Sequence, residues 1–283
     1  MTLETYQNAA DFLLQTQAVL EKNEAANNLM LGISLRLKNF PEQIKTAPYL
    51  ATIMDEQGLI IAAVMTTQKL MAYSDRPDCD HAVEMLAQNL FAHQWSVPGV
   101  IGPSLIAEKF AGAWMKLAGV SCEQGMRRRA FELRKVKHPE PTRGALRLAA
   151  EDDIDLVAPW IFAFTQEALP GGDMAEARES ARSKITERDI FLWEDGQPVA
   201  MAGKARPTTN GIAVNLVYTP PKLRRRGYAS ACVAALSQLL LDAGWKFCCL
   251  FTDLSNPTSN HIYQQIGYTP VCDFNEYIFE VTA

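Results

Sequence analysis

The 283-residue chain has little of what metal and redox chemistry need. Its four histidines, His81, His93, His138 and His261, are too scattered to make a ligand set, and His261 reads as a surface helix residue. Its six cysteines, Cys79, Cys122, Cys232, Cys248, Cys249 and Cys272, contain no CxxC pair. Cys248 and Cys249 are adjacent in an apolar run, so they face opposite ways along a strand and read as small buried hydrophobes. No metal is expected. No apolar run approaches the ~20 residues of a membrane helix. The opening "MTLETYQNAADFLL" lacks the basic start and long apolar core of a signal peptide. A cytoplasmic setting is therefore expected, with no membrane partner. A net charge of -5 gives no bulk attraction to nucleic acid. Residues 1–140 carry 14 Lys+Arg against 15 Asp+Glu and residues 141–283 carry 13 against 17, so neither half is basic. Two phosphate-binding loops are missing as well: neither GxxxxGK[ST] nor GxGxxG occurs.

What is present is ordinary globular composition, 48% hydrophobic and 21% charged, on a chain long enough for two domains. Apolar residues at helical spacing predict a largely helical start. Two apolar runs around Asp55-Glu56-Gln57-Gly58 predict a hairpin. "DHAVEMLAQNLFAHQW" is a helix and "VPGVIGP" a short strand. Another helix runs from Ser104, as N-cap, to Gly119 as stop. "MRRRAFELRKV" alternates as a strand, with Arg127–Arg129 as strand-edge charge. "KHPEPTRG" (137–144) reads as a linker between domains 1–140 and 141–283. Beyond it come a short strand and helix, a mobile "GGD" loop at 171–173, and a hairpin turning at Asp195-Gly196. A strand "GIAVNLVYT", a strongly apolar helix, a buried strand "KFCCLFTDL", a short helix and terminal strands follow. Both halves share this coarse order, which places them in the α+β (α/β mixed) class.

The stretch "YTPPKLRRRGYAS" (218–230) is the turn between a strand and a helix. The first N–H groups of a helix have no intrahelical partner and attract anions. Gly227 allows a positive φ or a close backbone approach, and Ala229 is small for the same reason. Successive N–H groups in such a turn form an anion nest, with the arginines at its mouth. The chemistry suits a pyrophosphate.

Arg224-x-x-Gly227-x-Ala229 resembles the coenzyme A signature of the GNAT acetyltransferase superfamily, [QR]-x-x-G-x-[GA]. "NPTSNHIYQQIGY" resembles that family's next element: Asn256, then Tyr263 seven residues on, then Gly267-Tyr268. The resemblance covers about residues 143–280. It implies tandem GNAT-like domains, each a central mixed, mostly antiparallel twisted sheet flanked by helices. It also implies direct transfer of an acetyl group from acetyl-CoA to an amine. By the same resemblance Val217, Tyr218 and Thr219 bind the pantetheine arm, and the turn from Arg224 through Arg225, Arg226, Gly227, Tyr228 and Ala229 to Ser230 binds pyrophosphate. Asn256 touches the coenzyme near its pantetheine. Tyr263 protonates the thiolate leaving group, a role suited to a phenol of pKa ~10.

Some members carry a Glu five residues before the Asn; here that position is Phe251. Asn215 is the only charged or amide side chain on the strand preceding the turn. Asp253 and Glu167 are the candidate bases. The N-terminal half is expected to be a degenerate GNAT-like domain, with "SVPGVIGPSLIAEKF" where a cofactor turn would lie. The competing reading is a non-catalytic acyl-CoA sensor. The acceptor is a small-molecule or peptide amine, the net charge favouring a cationic one, and a homodimer stays open.

Overall fold

A computed structural model describes residues 1–66, 68–168 and 171–280. In chain order its first half contains β1 (Thr2–Thr5), α1 (Ala9–Leu20), α2 (Glu24–Asn39), β2 (Tyr49–Asp55), β3 (Gly58–Met65), β4 (Leu70–Tyr73) and α3 (Asp80–Ala92). Then come β5 (Gly99–Pro103), α4 (Ser104–Ala118), β6 (Ser121–Gln124) and β7 (Arg128–Leu133). The second half contains β8 (Ala145–Leu148), α5 (Ile154–Ala168), α6 (Met174–Thr186), β9 (Ile190–Glu194), β10 (Pro198–Ala205) and β11 (Gly211–Tyr218). It ends with α7 (Tyr228–Asp242), β12 (Phe247–Asp253), α8 (Pro257–Ile266) and β13 (Thr269–Glu280).

The chain forms two compact units. Unit 1 is Met1–Ala130 with Val271–Ala283, and unit 2 is Phe131–Pro270. Residue 140, where the sequence suggests a division, falls inside unit 2, and the terminal strand counts with unit 1 from Val271 onward. In unit 1 the sheet order is β1-β2-β3-β4-β5-β13, with β6 on the far side of β13. Phe274–Ile278 of β13 pair antiparallel with Pro103–Gly99, and Tyr277–Glu280 pair with Gln124–Ser121. In unit 2 the order is β8-β9-β10-β11-β12, continued by β7. Each unit thus runs through three antiparallel pairings and then one parallel one, β4 with β5 and β11 with β12.

Each sheet is covered on both faces, which is why its central strands read as unbroken apolar runs rather than alternating ones. In β3, Ile61, Ala63 and Met65 pack under α3 and α4, while Ala62 and Val64 pack under α1 and α2. In unit 2, Ile212 and Val214 of β11 join Cys232, Leu236, Cys248 and Ile266 on the α7 and α8 side. Ile190, Leu192 and Met201 join Val157, Ile161 and Ala181 on the α5 and α6 side. Cys248 and Cys249 are buried, as small hydrophobes should be.

Local signals hold in part. Gly119 ends α4 in the left-handed conformation, at φ 66. Ser104 is the first residue of α4 rather than its N-cap; Pro103 holds that place, and the Ser104 hydroxyl donates to the Asp273 carbonyl at 3.1 Å. Two arginines of the run at 127–129 are salt-bridged at the strand edge. Arg129 forms two hydrogen bonds with the Asp273 carboxylate, at 2.6 and 2.8 Å, and Arg128 pairs with the buried Glu276.

Candidate functional site

Within residues 96–110, where the sequence suggests a cofactor turn would lie in the first half, β5 runs directly into α4. The true counterpart of the arginine turn is the connection from β4 to α3, Ser74–Cys79. Gly99 and Gly102 serve strand packing instead. A Cβ on Gly102 would lie 2.3 Å from the Ala72 carbonyl oxygen, and one on Gly99 would lie 2.4 Å from that of Tyr277.

In unit 2 the sheet is built differently at this point. The parallel register of β11 with β12 runs from Gly211↔Phe247 to Ala213↔Cys249, whereas β11 continues to Tyr218 and β12 to Asp253. On its other side β11 has a bulge. Met201 faces Tyr218 and Gly203 faces Asn215, so Leu216 and Val217 together oppose Ala202. Leu216 takes φ 49, a costly conformation for a bulky residue. Nothing in the residue type foretells that bulge. Near it, Asn215 Oδ1 and Thr219 Oγ1 are buried without hydrogen-bond partners. Buried polar atoms of this kind call for a ligand or water.

The turn itself closes through a short 3-10 segment, Pro221–Leu223, which the two prolines favour. Arg225 and Gly227 then take positive φ, 63 and 80. Gly227 is the N-cap of α7 and lends it no side-chain cap. A Cβ there would meet Thr142 Oγ1 at 2.9 Å, so the linker threads behind the glycine. The first intrahelical bond runs from Ala231 N–H to the Gly227 carbonyl at 2.9 Å. The N–H groups of Tyr228, Ala229 and Ser230 precede it and are left for an anion. Tyr228 turns its ring aside, donating its hydroxyl to Asp195 at 2.9 Å, and Asp195 is also within 3.2 Å of Arg143 Nε. Arg225 and Arg226 are exposed.

Arg224 behaves otherwise. Its Nε donates to the Thr219 carbonyl at 2.9 Å, and one terminal nitrogen donates to both carboxylate oxygens of Glu167 at 2.7 and 2.8 Å. The guanidinium lies 5.7 Å from the Tyr218 ring centre. Glu167 is thereby held in an ion pair.

Asp253 ends β12 and accepts from Ser255 N–H at 2.8 Å. Asn256 is the N-cap of α8, accepting from Ser259 N–H at 3.0 Å. Asn260 fastens the two elements, donating to the carbonyls of Asp253 and Asn256 at 3.0 and 2.8 Å. Tyr263 lies on α8, its ring edge-on to that of Tyr268 at 5.9 Å. Tyr268 exchanges a hydrogen bond with Ser237 at 2.8 Å. The Tyr263 hydroxyl, by contrast, has no hydrogen-bond partner among the described residues. Burial pushes its pKa well above the ordinary phenol value, so the proton is held. No group of His, Cys, Asp and Glu suited to a metal occurs among the described residues.

The donor set fits coenzyme A: open N–H groups and two exposed arginines for pyrophosphate, parted strands with orphaned polar atoms for an amide-rich arm, and an unpaired phenol. The FR47-like protein family profile matches residues 195–278. No curated protein sequence matches the chain. Among solved structures, a GNAT-family acetyltransferase from Colwellia psychrerythraea aligns with TM-score 0.61 at 11% identity over 99% of this chain and 100% of that one. A GCN5-related N-acetyltransferase from Sphaerobacter thermophilus aligns with TM-score 0.64 at 14% identity over 98% and 94%. A tandem GNAT protein from the clavulanic acid biosynthesis pathway aligns with TM-score 0.54 at 11% identity over 99% and 98%. At such identities the likeness is one of fold. The chain therefore has the tandem GNAT acetyltransferase fold, and its residues 195–278 carry an FR47-like, GNAT-type sequence.

Proposed function

We propose that unit 2 is an acetyl-CoA-dependent N-acetyltransferase and that unit 1 is its silent partner. The observation that carries this reading is the conjunction of the open turn at Arg225–Ser230 with an unpaired, protonated Tyr263 phenol. Acetyl-CoA supplies the thioester. The N–H groups of Tyr228, Ala229 and Ser230, with Arg225 and Arg226, bind its pyrophosphate. The edge of β11 from Val217 to Thr219 orients the pantetheine through backbone hydrogen bonds. An N–H freed from the ladder by the Leu216 bulge stabilises the oxyanion formed when an amine attacks. Tyr263 gives its proton to the departing thiolate, and the proton shed by the amine nitrogen passes to solvent, from which the phenolate is reprotonated. Asn256 fixes the start of α8 and so the place of Tyr263.

A second reading rests on a specific observation. Both candidate bases are engaged, Glu167 by Arg224 and Asp253 by Ser255 N–H. An acyl-CoA sensor needs no base. Thiol release from acetyl-CoA in the presence of a panel of primary amines separates the two readings. Amine-dependent release that collapses in Tyr263→Phe supports the transferase. Tight acetyl-CoA binding with no amine-dependent release across the panel supports the sensor.

A further inference from the structure

Arg224 opens the signature, yet its side chain is spent elsewhere in unit 2. Nothing else in the turn is tied down so fully: Nε to the Thr219 carbonyl, a terminal nitrogen to both oxygens of Glu167, and the guanidinium near the Tyr218 ring. Tyr218 is in turn packed against Trp160, with ring centres 6.1 Å apart. Trp160 and Glu167 are two helical turns apart on α5, so they project from one face. That face meets the end of β11 where the Trp160 ring packs on Tyr218, and it meets the turn where Glu167, in the last turn of the helix, accepts from Arg224. Arg224 joins the two, bonded to Glu167 and lying beside the Tyr218 ring that packs on Trp160.

We infer that Arg224 is a positioning residue that links the cofactor turn to α5, so that occupancy of the turn is felt at the last turn of α5. The inference rests on the coenzyme A reading and adds a regulation of that site. The turn holds Arg225 and Gly227 at positive φ and depends on its 3-10 segment for shape. An anion drawn onto its N–H groups stiffens it. The Thr219 carbonyl and the Arg224 backbone are then fixed, and the ion pair holds Glu167 in place. By reciprocity, whatever orders the end of α5 also favours the bound form of the turn. Arg225 and Arg226 remain the cations available to the pyrophosphate.

The test is hydrogen–deuterium exchange of the full chain over residues 160–168, with and without acetyl-CoA. It is run on the wild type, Arg224→Gln, Glu167→Gln and the charge-swapped Glu167→Arg/Arg224→Glu, each titrated with acetyl-CoA. In the wild type, acetyl-CoA is expected to slow exchange in the last turn of α5 by about two- to fivefold, the scale of a half-exposed ion pair. Both single variants should still bind acetyl-CoA but lose that protection, and the swap should recover part of it. The inference is overturned if Arg224→Gln keeps the protection. It is equally overturned if Arg224→Gln loses as much acetyl-CoA affinity as Arg226→Gln, since Arg224 would then be a pyrophosphate ligand. A wild type that binds no acetyl-CoA overturns the coenzyme reading, and the coupling with it. In that case faster exchange at 160–168 in unliganded Arg224→Gln would show a clamp of purely structural use.

Discussion

Two strand-to-helix turns occupy the same place in the two units, and they have opposite chemistry. In unit 1, Ser74–Cys79 carries Asp75 and Asp78, with Asp80 opening α3. Its one arginine, Arg76, is committed to Asp55 by hydrogen bonds of 2.6 and 3.1 Å. Lys109 of α4 is likewise committed, to the Pro77 carbonyl at 2.7 Å and Asp80 at 2.6 Å. The residue before α3 is Cys79, at φ -102, so no left-handed glycine opens the helix. The strands below are closed, with Gly102 pressed against Ala72. In unit 2 the turn is basic, glycine-opened and set above strands that part. One fold thus appears twice, and only one copy keeps the features an anion needs. The fold alone does not make the site.

The sharpest way to break this comparison is to spoil the one good turn. Gly227→Glu places a carboxylate at the nest in a backbone conformation that suits only glycine, with Thr142 Oγ1 in the way. Acetyl-CoA binding by titration should fall by about a hundredfold or more, since the added side chain fills the nest and its carboxylate repels a pyrophosphate at close range.

Next in size is Tyr263→Phe. The loss of a positioned proton donor should lower turnover about a hundredfold while leaving acetyl-CoA affinity unchanged. The Tyr263 pKa lies above its ordinary ~10, so no fall in rate assigned to this group is expected below pH ~10. A basic limb near neutrality that vanishes in Tyr263→Phe would contradict the assignment.

Unit 1 is sustained by its own charges, and Glu276 of β13 is their hub. It pairs with Lys69 and Arg128 and accepts from Met126 N–H at 3.2 Å. Glu276→Gln leaves two cations without their partner and should cost about 3–5 kcal/mol in urea unfolding. Burial acts to raise the Glu276 pKa, but Lys69 and Arg128 outweigh it and the net shift is downward. The stabilisation is therefore fully present above the unfolded carboxylate pKa of ~4.3 and is lost as pH falls through the lower folded value.

A smaller effect tests the closed strands of unit 1. Gly102→Ala should destabilise by about 1–3 kcal/mol, because a backbone oxygen cannot move aside as a side chain can. The smallest expected effect is none. Asp75→Arg/Asp78→Arg makes the silent turn basic, but it supplies neither the glycine nor the parted strands. A second acetyl-CoA site in that variant would show that charge alone had separated the turns.

Much of this was legible in the sequence because the signals were local. Residues 224–230 are legible as a glycine-opened strand-to-helix turn rich in arginine, and Asn256 to Tyr268 as a short capped helix ended by a glycine. The hairpins and most of the helices were readable from periodicity, whereas the short strands β1, β4 and β6 were not. What was not readable depends on distant residues. The strand β4 is only four residues long, too short for its period to register, so the sequence does not mark Ser74–Cys79 as a strand-to-helix connection. The placement of β13 with unit 1 depends on pairing with β5 and β6, more than 150 positions away in sequence. The engagement of Glu167, a candidate base by sequence, is invisible there because its partner, Arg224, lies 57 residues on.

The most direct test is the stoichiometry of acetyl-CoA binding by isothermal titration of the wild type beside Gly227→Glu. One site per chain, abolished in the variant, is the predicted result. Two sites, or a site that survives Gly227→Glu, would contradict the claim that only the turn of unit 2 binds the coenzyme.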